Sequence, residues 1–363
     1  MITIAVLVAL VVIAVAVIVF ALRRFDRPAE VPDDFVAPTQ LPVGPGLAPD
    51  TFAFDSDRTG NFEIFLAELP GGDTDGEGEA SNTTGDDRPD DGAVQLTDDP
   101  AFDSWWPRVS PDRTTILFYR APKGVHDLDA TKVGLWAMGA DGSDPVLLRP
   151  AGLDGWTMQG HAEWHPDGTA LVMFGGSRFS PQVFVTDPTG ANPHQLTDRG
   201  GRNLDPAYSA DGRRVWFVGC PKSVCSDADQ EIYSVELDDT GTAAAGDPVR
   251  HTTDDIRDND PYESPDGTRL GWLSQVETGG IGVWDVRMAS LDEAGRFSSE
   301  PRRLVDDSAV TSRPQWSVDG ATIVTHRLEP GRDSFDLVVI DAETGAVTAL
   351  PVNSDANDEY PSL

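Results

Sequence analysis

Six residues of different chemistry, Trp106, His161, Asp205, Asp260, Arg313 and Tyr360, stand at one and the same place in a recurring phrase of this 363-residue chain. Each immediately precedes the phrase, which reads Pro107-Arg108-Val109-Ser110-Pro111-Asp112 in its first intact copy and Pro206-Ala207-Tyr208-Ser209-Ala210-Asp211-Gly212 in a later one. Scaffold residues repeat between copies, whereas this position does not. Brought together, two carboxylates, an imidazole, a guanidinium and aromatic faces would bind a polar ligand, a peptide terminus or a cation. Asp205, Asp260 and His161 also have the types that acid, base or metal-ligand chemistry requires. Trp105, Gln159, Asn203, Asn259 and Glu359 stand close by. A competing structural reading has Asp205 and Asp260 capping backbone donors in turns, Arg313 paired with an acidic neighbour, and only water in the space between. The pattern favours a noncatalytic binding site for a protein or a small polar ligand, with no catalytic residue, cofactor or metal assigned. A channel-sited carbohydrate lyase or hydrolase is the alternative.

The elements that must position these residues follow from the repeat. Further copies begin at Ala162, Pro261 and Pro314, and a sixth is divided, half at Tyr360-Pro361-Ser362-Leu363 and half at Pro49-Asp50-Thr51. A phrase split between the two ends places the first and last elements side by side. A strand-turn-strand signature with a period of roughly 50 residues indicates a β-propeller. The expected fold is all-β: six blades over residues 49–363, closed by pairing the C-terminal strand with the N-terminal ones. Each repeat offers four strands, with Asp-Gly or a similar pair turning the first into the second. Apolar runs such as Leu171-Val172-Met173-Phe174 and Leu337-Val338-Val339-Ile340 suit sheets covered on both faces. Proline recurs on the innermost strand, whose channel-facing edge is unpaired and tolerates a missing N–H.

Other candidate chemistry is weaker. His165 is four residues from His161, about 13 Å along a strand, too far to share an ion, and takes the Ser position of the turn. His251 and His326 fall in fourth and second strands, away from the channel. No Gly-x-Ser-x-Gly elbow occurs, and Gly175-Gly176-Ser177 reads as a loop after a strand. No phosphate-binding glycine pattern lies between a strand and a helix.

The Ser-Pro-Asp-Gly turns, the run Asp55-Ser56-Asp57-Arg58-Thr59-Gly60-Asn61-Phe62-Glu63-Ile64-Phe65 and the tripeptides Gln95-Leu96-Thr97 and Gln195-Leu196-Thr197 resemble the WD-like propeller repeat of the TolB family. The resemblance covers about residues 49–363. It implies a six-bladed propeller of the bacterial cell envelope. Related propellers serve as docking platforms, as gating domains of prolyl-oligopeptidase-type enzymes, and as lyases with metal-ligating histidines in the channel. In place of that family's N-terminal α/β domain stand an apolar segment and a spacer.

A net charge of -34, with lysine only at 123, 132 and 222, disfavours nucleic acid as a partner. The apolar run from Ile2 to Leu22 is long enough to cross a bilayer. Its lack of a basic leading region favours an uncleaved anchor over a cleaved signal, so residues 1–24 are expected to be a single-pass transmembrane helix. Residues 25–48, rich in Pro and acidic groups, are expected to be an extended spacer. Arg23, Arg24 and Arg27 place the following domain in the cytoplasm by the positive-inside rule. Cys220 and Cys225, close enough in a hairpin loop to bridge or else a pair of unlinked thiols, point the other way. With the TolB resemblance, the expectation is an extracytoplasmic, monomeric propeller. Gly71 to Gly92 is expected to be a disordered acidic loop.

Overall fold

The computed structural model describes residues 26–70, 92–126, 129–198, 200–220, 225–277, 283–305, 307 and 309–363. The apolar segment from Ile2 to Leu22 and all of the acidic loop except Gly92 lie outside the described residues. Among the described residues no helix is long and apolar enough to cross a membrane.

Antiparallel meanders of four strands follow one another along the chain. Their inner strands are Asp358–Ser362, Phe102–Val109, Met158–Trp164, Asn203–Tyr208, Asp258–Glu263 and Val310–Trp316, which number the meanders first to sixth. The first four meanders are separate four-stranded sheets. The last two merge into one eight-stranded sheet through a single parallel pair, Trp284 with Val310. The architecture is a β-propeller.

The apolar runs explain the packing. Each of six hydrophobic clusters is built mainly from two consecutive meanders, the largest also taking in Tyr360 of the first. Leu171, Met173 and Phe184 meet Leu117, Tyr119 and Leu135 between the second and third, and Phe52, Phe54 and Phe65 meet Val324 and Leu337 between the sixth and first. Sheets buried on both faces need no polar alternation, which is why the strands read as continuous apolar runs.

The turn after each inner strand is set by its own side chains. Ser110, Ser209, Ser264 and Ser317 donate to Asp112, Asp211, Asp266 and Asp319. In the third meander the Nδ1 of His165 takes the serine's place, 2.6 Å from Asp167 Oδ1, so His165 is a turn residue as expected. The disulfide between Cys220 and Cys225 joins residues with Cα atoms 6.2 Å apart, between the second and third strands of the fourth meander.

Closure is polar as well as apolar. Ala53, Asp55 and Ser56 pair with Ser362, Glu359 and Asp358. Arg58 Nη2 lies 2.6 Å from Asp358 Oδ1, and the Ser362 hydroxyl accepts from the Val109 amide at 3.0 Å. The spacer differs from expectation. From Asp26 to Leu47 it is laid against the third and second meanders: Thr157 and Ser177 donate to Asp26, Thr115 donates to the Pro42 carbonyl, and the Gly44 and Leu47 amides donate to Thr114 and Arg113. A Cβ on Gly152, whose φ is +87°, would stand 2.0 Å from the Ala29 carbonyl oxygen. A Pro-rich strand has few donors to satisfy internally, so its carbonyls and remaining amides dock on the exposed turns.

A chain ending at Asn357 loses the inner strand of the first meander, five buried residues, and leaves Thr51–Ser56 with an open edge. Its melting temperature should fall by roughly 10 °C or cooperative unfolding should disappear. An unchanged thermal transition would show that closure contributes nothing.

Candidate functional site

A local irregularity of the inner strands builds the site. In every meander the ladder between the inner strand and its neighbour slips by a residue at the same place. In the fourth, Leu204 faces Val218 and Ala207 faces Trp216, so Asp205 and Pro206 together oppose Phe217 alone. Equivalent shifts flank Trp106, His161, Asp260, Arg313 and Tyr360. All six residues have left-handed backbone, with φ between 47 and 56°. L-residues other than Gly, Asn and Asp adopt this conformation rarely, and it runs against the preference of a residue before proline. Six such positions in one register are therefore imposed by the fold, and they turn all six side chains onto one cavity of about 430 Å³.

At its centre Arg313 reaches across the ring. Its Nη1 lies 2.5 Å from Asp260 Oδ1, its Nη2 lies 3.8 Å from Asp205 Oδ1, and its Cζ is 3.5 Å from the centroid of the Trp106 ring. Asp205 also pairs with His161 Nδ1, and the His161 ring stacks on Trp106 at 4.1 Å and 8°. Arg313, Asp205, Asp260 and Trp106 are buried, while His161 keeps 26% of its side chain exposed. Asp205 and Asp260 thus do not cap turns, whereas the expected pairing of Arg313 with an acidic neighbour is present twice.

A second polar ring lies two residues further along each inner strand. Glu163 Oε1 accepts from Arg108 Nε and from the Tyr262 hydroxyl, each at 2.5 Å. Because Glu163 and Tyr262 come from non-neighbouring meanders, their contact spans the centre of the ring.

These contacts set the titration behaviour. Burial acts to raise the Asp205 carboxyl, but His161 and Arg313 outweigh it and hold the group down at about 2. Burial, opposed by Arg313 and reinforced by the Asp205 charge, pushes Asp260 up to about 7. Burial and nearby Arg313 lower His326 to about 3, so the ring is neutral and its Nδ1 accepts from the Tyr360 amide at 3.0 Å. That contact corrects the expectation for His326, which occupies a second strand but backs directly onto the channel wall.

Ligand atoms of His161, Asp205 and Asp260 lie within 4.8 Å of one another, but Arg313 already supplies the positive charge between the two carboxylates. A metal there would face a buried, permanently charged guanidinium. The carboxylates are also closer than the roughly 5 to 10 Å that glycosidase chemistry uses, and both are turned onto Arg313. The polar lining residues that are not buried are Arg202, which is exposed, and His161, Arg257, Asn259 and Ser312, which are part-exposed. Of the flanking residues, Trp105, Gln159 and Asn259 line the cavity, while Asn203 and Glu359 do not. Sequence reasoning missed Arg202 and Arg257, which precede the phrase by four residues, and His126, which stacks on Phe62 at 3.7 Å behind Trp105. The post-proline position, which varies between copies as the pre-proline one does, was the available signal for Arg108, Glu163 and Tyr262.

With this geometry the class of protein is a β-propeller with a polar pocket at one mouth of its channel. No protein-family model matches the chain. Among solved structures it is similar to putative TolB from Agrobacterium tumefaciens, with a TM-score of 0.55 and 20% identity over 72% of this chain and 84% of that one. TolB from Acinetobacter baumannii gives a TM-score of 0.59 at 14% identity, covering 86% of this chain and 66% of that one. The chain has a TolB-like propeller fold. It is also 31% identical over 133 residues to the uncharacterized peptidase YuxL of Bacillus subtilis, a match that takes in 36% of this chain but only 18% of that protein's length.

Asp260 holds its proton more readily in the folded than in the unfolded chain, so its stabilising contribution is complete below about pH 4 and is lost as pH rises towards about 7. Asp260→Asn is neutral throughout and escapes that loss. Melting curves between about pH 5 and 8 should show the parent chain losing stability relative to the variant. A parent advantage that grows with pH would mean that Asp260 is ionised and paired across the whole range.

Proposed function

We propose that this protein is a noncatalytic interaction module: a closed, six-bladed propeller, monomeric and tethered to a membrane by Ile2 to Leu22, whose channel mouth takes a polar or carboxylate-bearing group of a protein partner. The observation that carries the reading is the composition of the mouth. In a chain of net charge -34, three arginines, Arg202, Arg257 and Arg313, line one cavity together with His161, aromatic faces and only two carboxylates, Asp205 and Asp260. Planar guanidinium groups suit bidentate recognition of a carboxylate, such as a peptide terminus or an acidic side chain. The two carboxylates of the site are engaged with Arg313, which argues for holding a guanidinium in place over general acid-base work. Six meanders, each sharing a hydrophobic cluster with the next and the sixth with the first, support the count of six blades.

Asp205 and Asp260 are poor probes of binding, because neutralising both leaves Arg313 buried without a counter-charge. Arg202→Glu alters an exposed group, and His161→Ala alters a part-exposed one that also partners Asp205. Used as bait on detergent-solubilised membranes of the source cells, the parent propeller should retain a discrete partner that both variants lose by tenfold or more, with the melting temperature unchanged in Arg202→Glu and lowered in His161→Ala. Undiminished capture by both variants would remove the channel mouth from the interaction.

The extracytoplasmic side is favoured by the Cys220–Cys225 disulfide and the TolB-like fold, against the three arginines that follow the apolar segment. Thiol alkylation of protein in intact membranes should label neither cysteine until reductant is added. Free thiols in the native protein, with protease resistance in intact cells, would place the domain in the cytoplasm.

A further inference from the structure

Consecutive meanders are latched by a polar trio that recurs outside the channel. Its members are the first residue of a third strand or one near it, a threonine just beyond the fourth strand, and a residue at the start of the next inner strand. Between the third and fourth meanders the trio is Gln182, Thr197 and Asn203. Gln182 Oε1 accepts from Asn203 Nδ2 at 3.0 Å and from Thr197 Oγ1 at 2.9 Å, and Thr197 Oγ1 accepts from the Val183 amide at 3.0 Å. Between the first and second meanders it is Glu63, Thr97 and Asp103. There Asn61 and the Asp99 amide donate to Glu63 Oε1, Thr97 donates to Oε2, and the Phe62 and Gly124 amides donate to the two oxygens of Asp103. Both oxygens of Glu63 and of Asp103, and the amide oxygen of Gln182, thus each have a donor.

Between the fourth and fifth meanders the same positions hold Glu231, Thr252 and Asp258, with Thr252 Oγ1 accepting from the Ile232 amide at 2.9 Å. Glu231 and Asp258 are each 1% exposed. Arg250 donates to Glu231 Oε1 and Ser274 to Asp258 Oδ1, but Glu231 Oε2 and Asp258 Oδ2 are buried without a hydrogen-bond partner. Thr252 stands near both carboxylates and has one proton to give, which cannot serve two acceptors. Asp254, half exposed on the connection between the two meanders, adds a third carboxylate, with Arg287 3.7 Å from its Oδ2. One ligand atom from each of Glu231, Asp254 and Asp258 lies within 4.8 Å of the other two.

We propose that Glu231, Asp254 and Asp258 form a binding site for a hard divalent cation, Ca²⁺ by preference, that ties the fourth meander to the fifth. The donors are all oxygen, which excludes the softer transition metals. Oxygens around one Ca²⁺ at about 2.3 to 2.6 Å are separated by no more than about 5 Å, which is the spread found here. The site opens through Asp254 and Asp258 onto a cavity of about 670 Å³, which gives an entry path and room for the waters that complete the coordination. The site is distant in function from the channel mouth and does not depend on the reading given there.

The test uses the full chain in detergent, stripped with chelator. Ca²⁺ added to saturation should raise the melting temperature by about 5 °C, and calorimetry should count one tight ion per chain. In Glu231→Gln/Asp258→Asn, which copies the amide pair Gln182/Asn203, the shift should vanish while the metal-free variant melts above the metal-free parent. Asp254→Asn, which changes an exposed group, should fold normally and weaken Ca²⁺ at least tenfold, so the proposal stays testable if the double variant does not fold. Two results would overturn it. The first is a parent chain indifferent to Ca²⁺ whose stability falls as pH rises through neutrality, the mark of two carboxyls sharing a proton. The second is an equal Ca²⁺ shift in parent and Asp254→Asn, the mark of diffuse binding to an acidic surface.

Discussion

In each inner strand one extra residue, held at a φ between 47 and 56°, breaks the alternation of the ladder and turns its side chain towards the axis of the ring. The rest of the molecule makes that conformation affordable only because strands on both sides are fixed. The continuous apolar runs bury both faces of each meander against its neighbours, the Ser-Asp turns lock the next strand, and the C-terminal strand closes the ring. The proline that follows five of the six bulged residues has no N–H to contribute, and at the bulge none is needed. A scaffold that repeats in this way leaves six positions free to differ, and those six meet in one pocket.

What meets there is organised by a single buried cation. Arg313 is shared by Asp260 and Asp205, lies against Trp106, and through Asp205 is linked to His161. With the Arg108-Glu163-Tyr262 ring beside it, the centre of the propeller is a packed polar plug that joins non-adjacent meanders. Such a plug orders the floor of a binding pocket and withdraws its carboxylates from solvent. The accessible groups around the cavity include Arg202, Arg257 and His161, which are basic in a molecule otherwise strongly acidic. Local charge opposite in sign to the whole focuses a complementary partner onto one place.

The ring was legible in the sequence because it rests on repetition, and the divided phrase at Pro49 and Tyr360 located its seam. The six pocket residues were legible for a related reason: variation at a fixed place within a constant phrase marks a position the scaffold does not use. Other features carried no such mark. A bulge changes register by one residue, and no property of Asp205-Pro206 alone distinguishes it from a regular strand. The spacer from Asp26 to Leu47 has the composition of a free linker, yet its docking uses main-chain carbonyls and amides, which any sequence supplies. His326 was placed in its strand correctly, but its contact with Tyr360 joins residues 34 apart through the closure itself. The acidic trio of Glu231, Asp254 and Asp258 was hidden because its significance lies in comparison with Gln182 and Asn203, which becomes visible only when the meanders are superposed in register.

The central claim, that a partner engages the channel mouth, is tested most directly by histidine footprinting. His161 is part-exposed within the pocket, and His194 is exposed on an outer strand. Carbethoxylation of the propeller, free and with its captured membrane partner, followed by mass spectrometry, compares the two in one experiment. The account predicts that the partner protects His161 severalfold and leaves His194 reacting as before. Protection of His194 with His161 still reactive would put the interaction on the outer face of the propeller and contradict it.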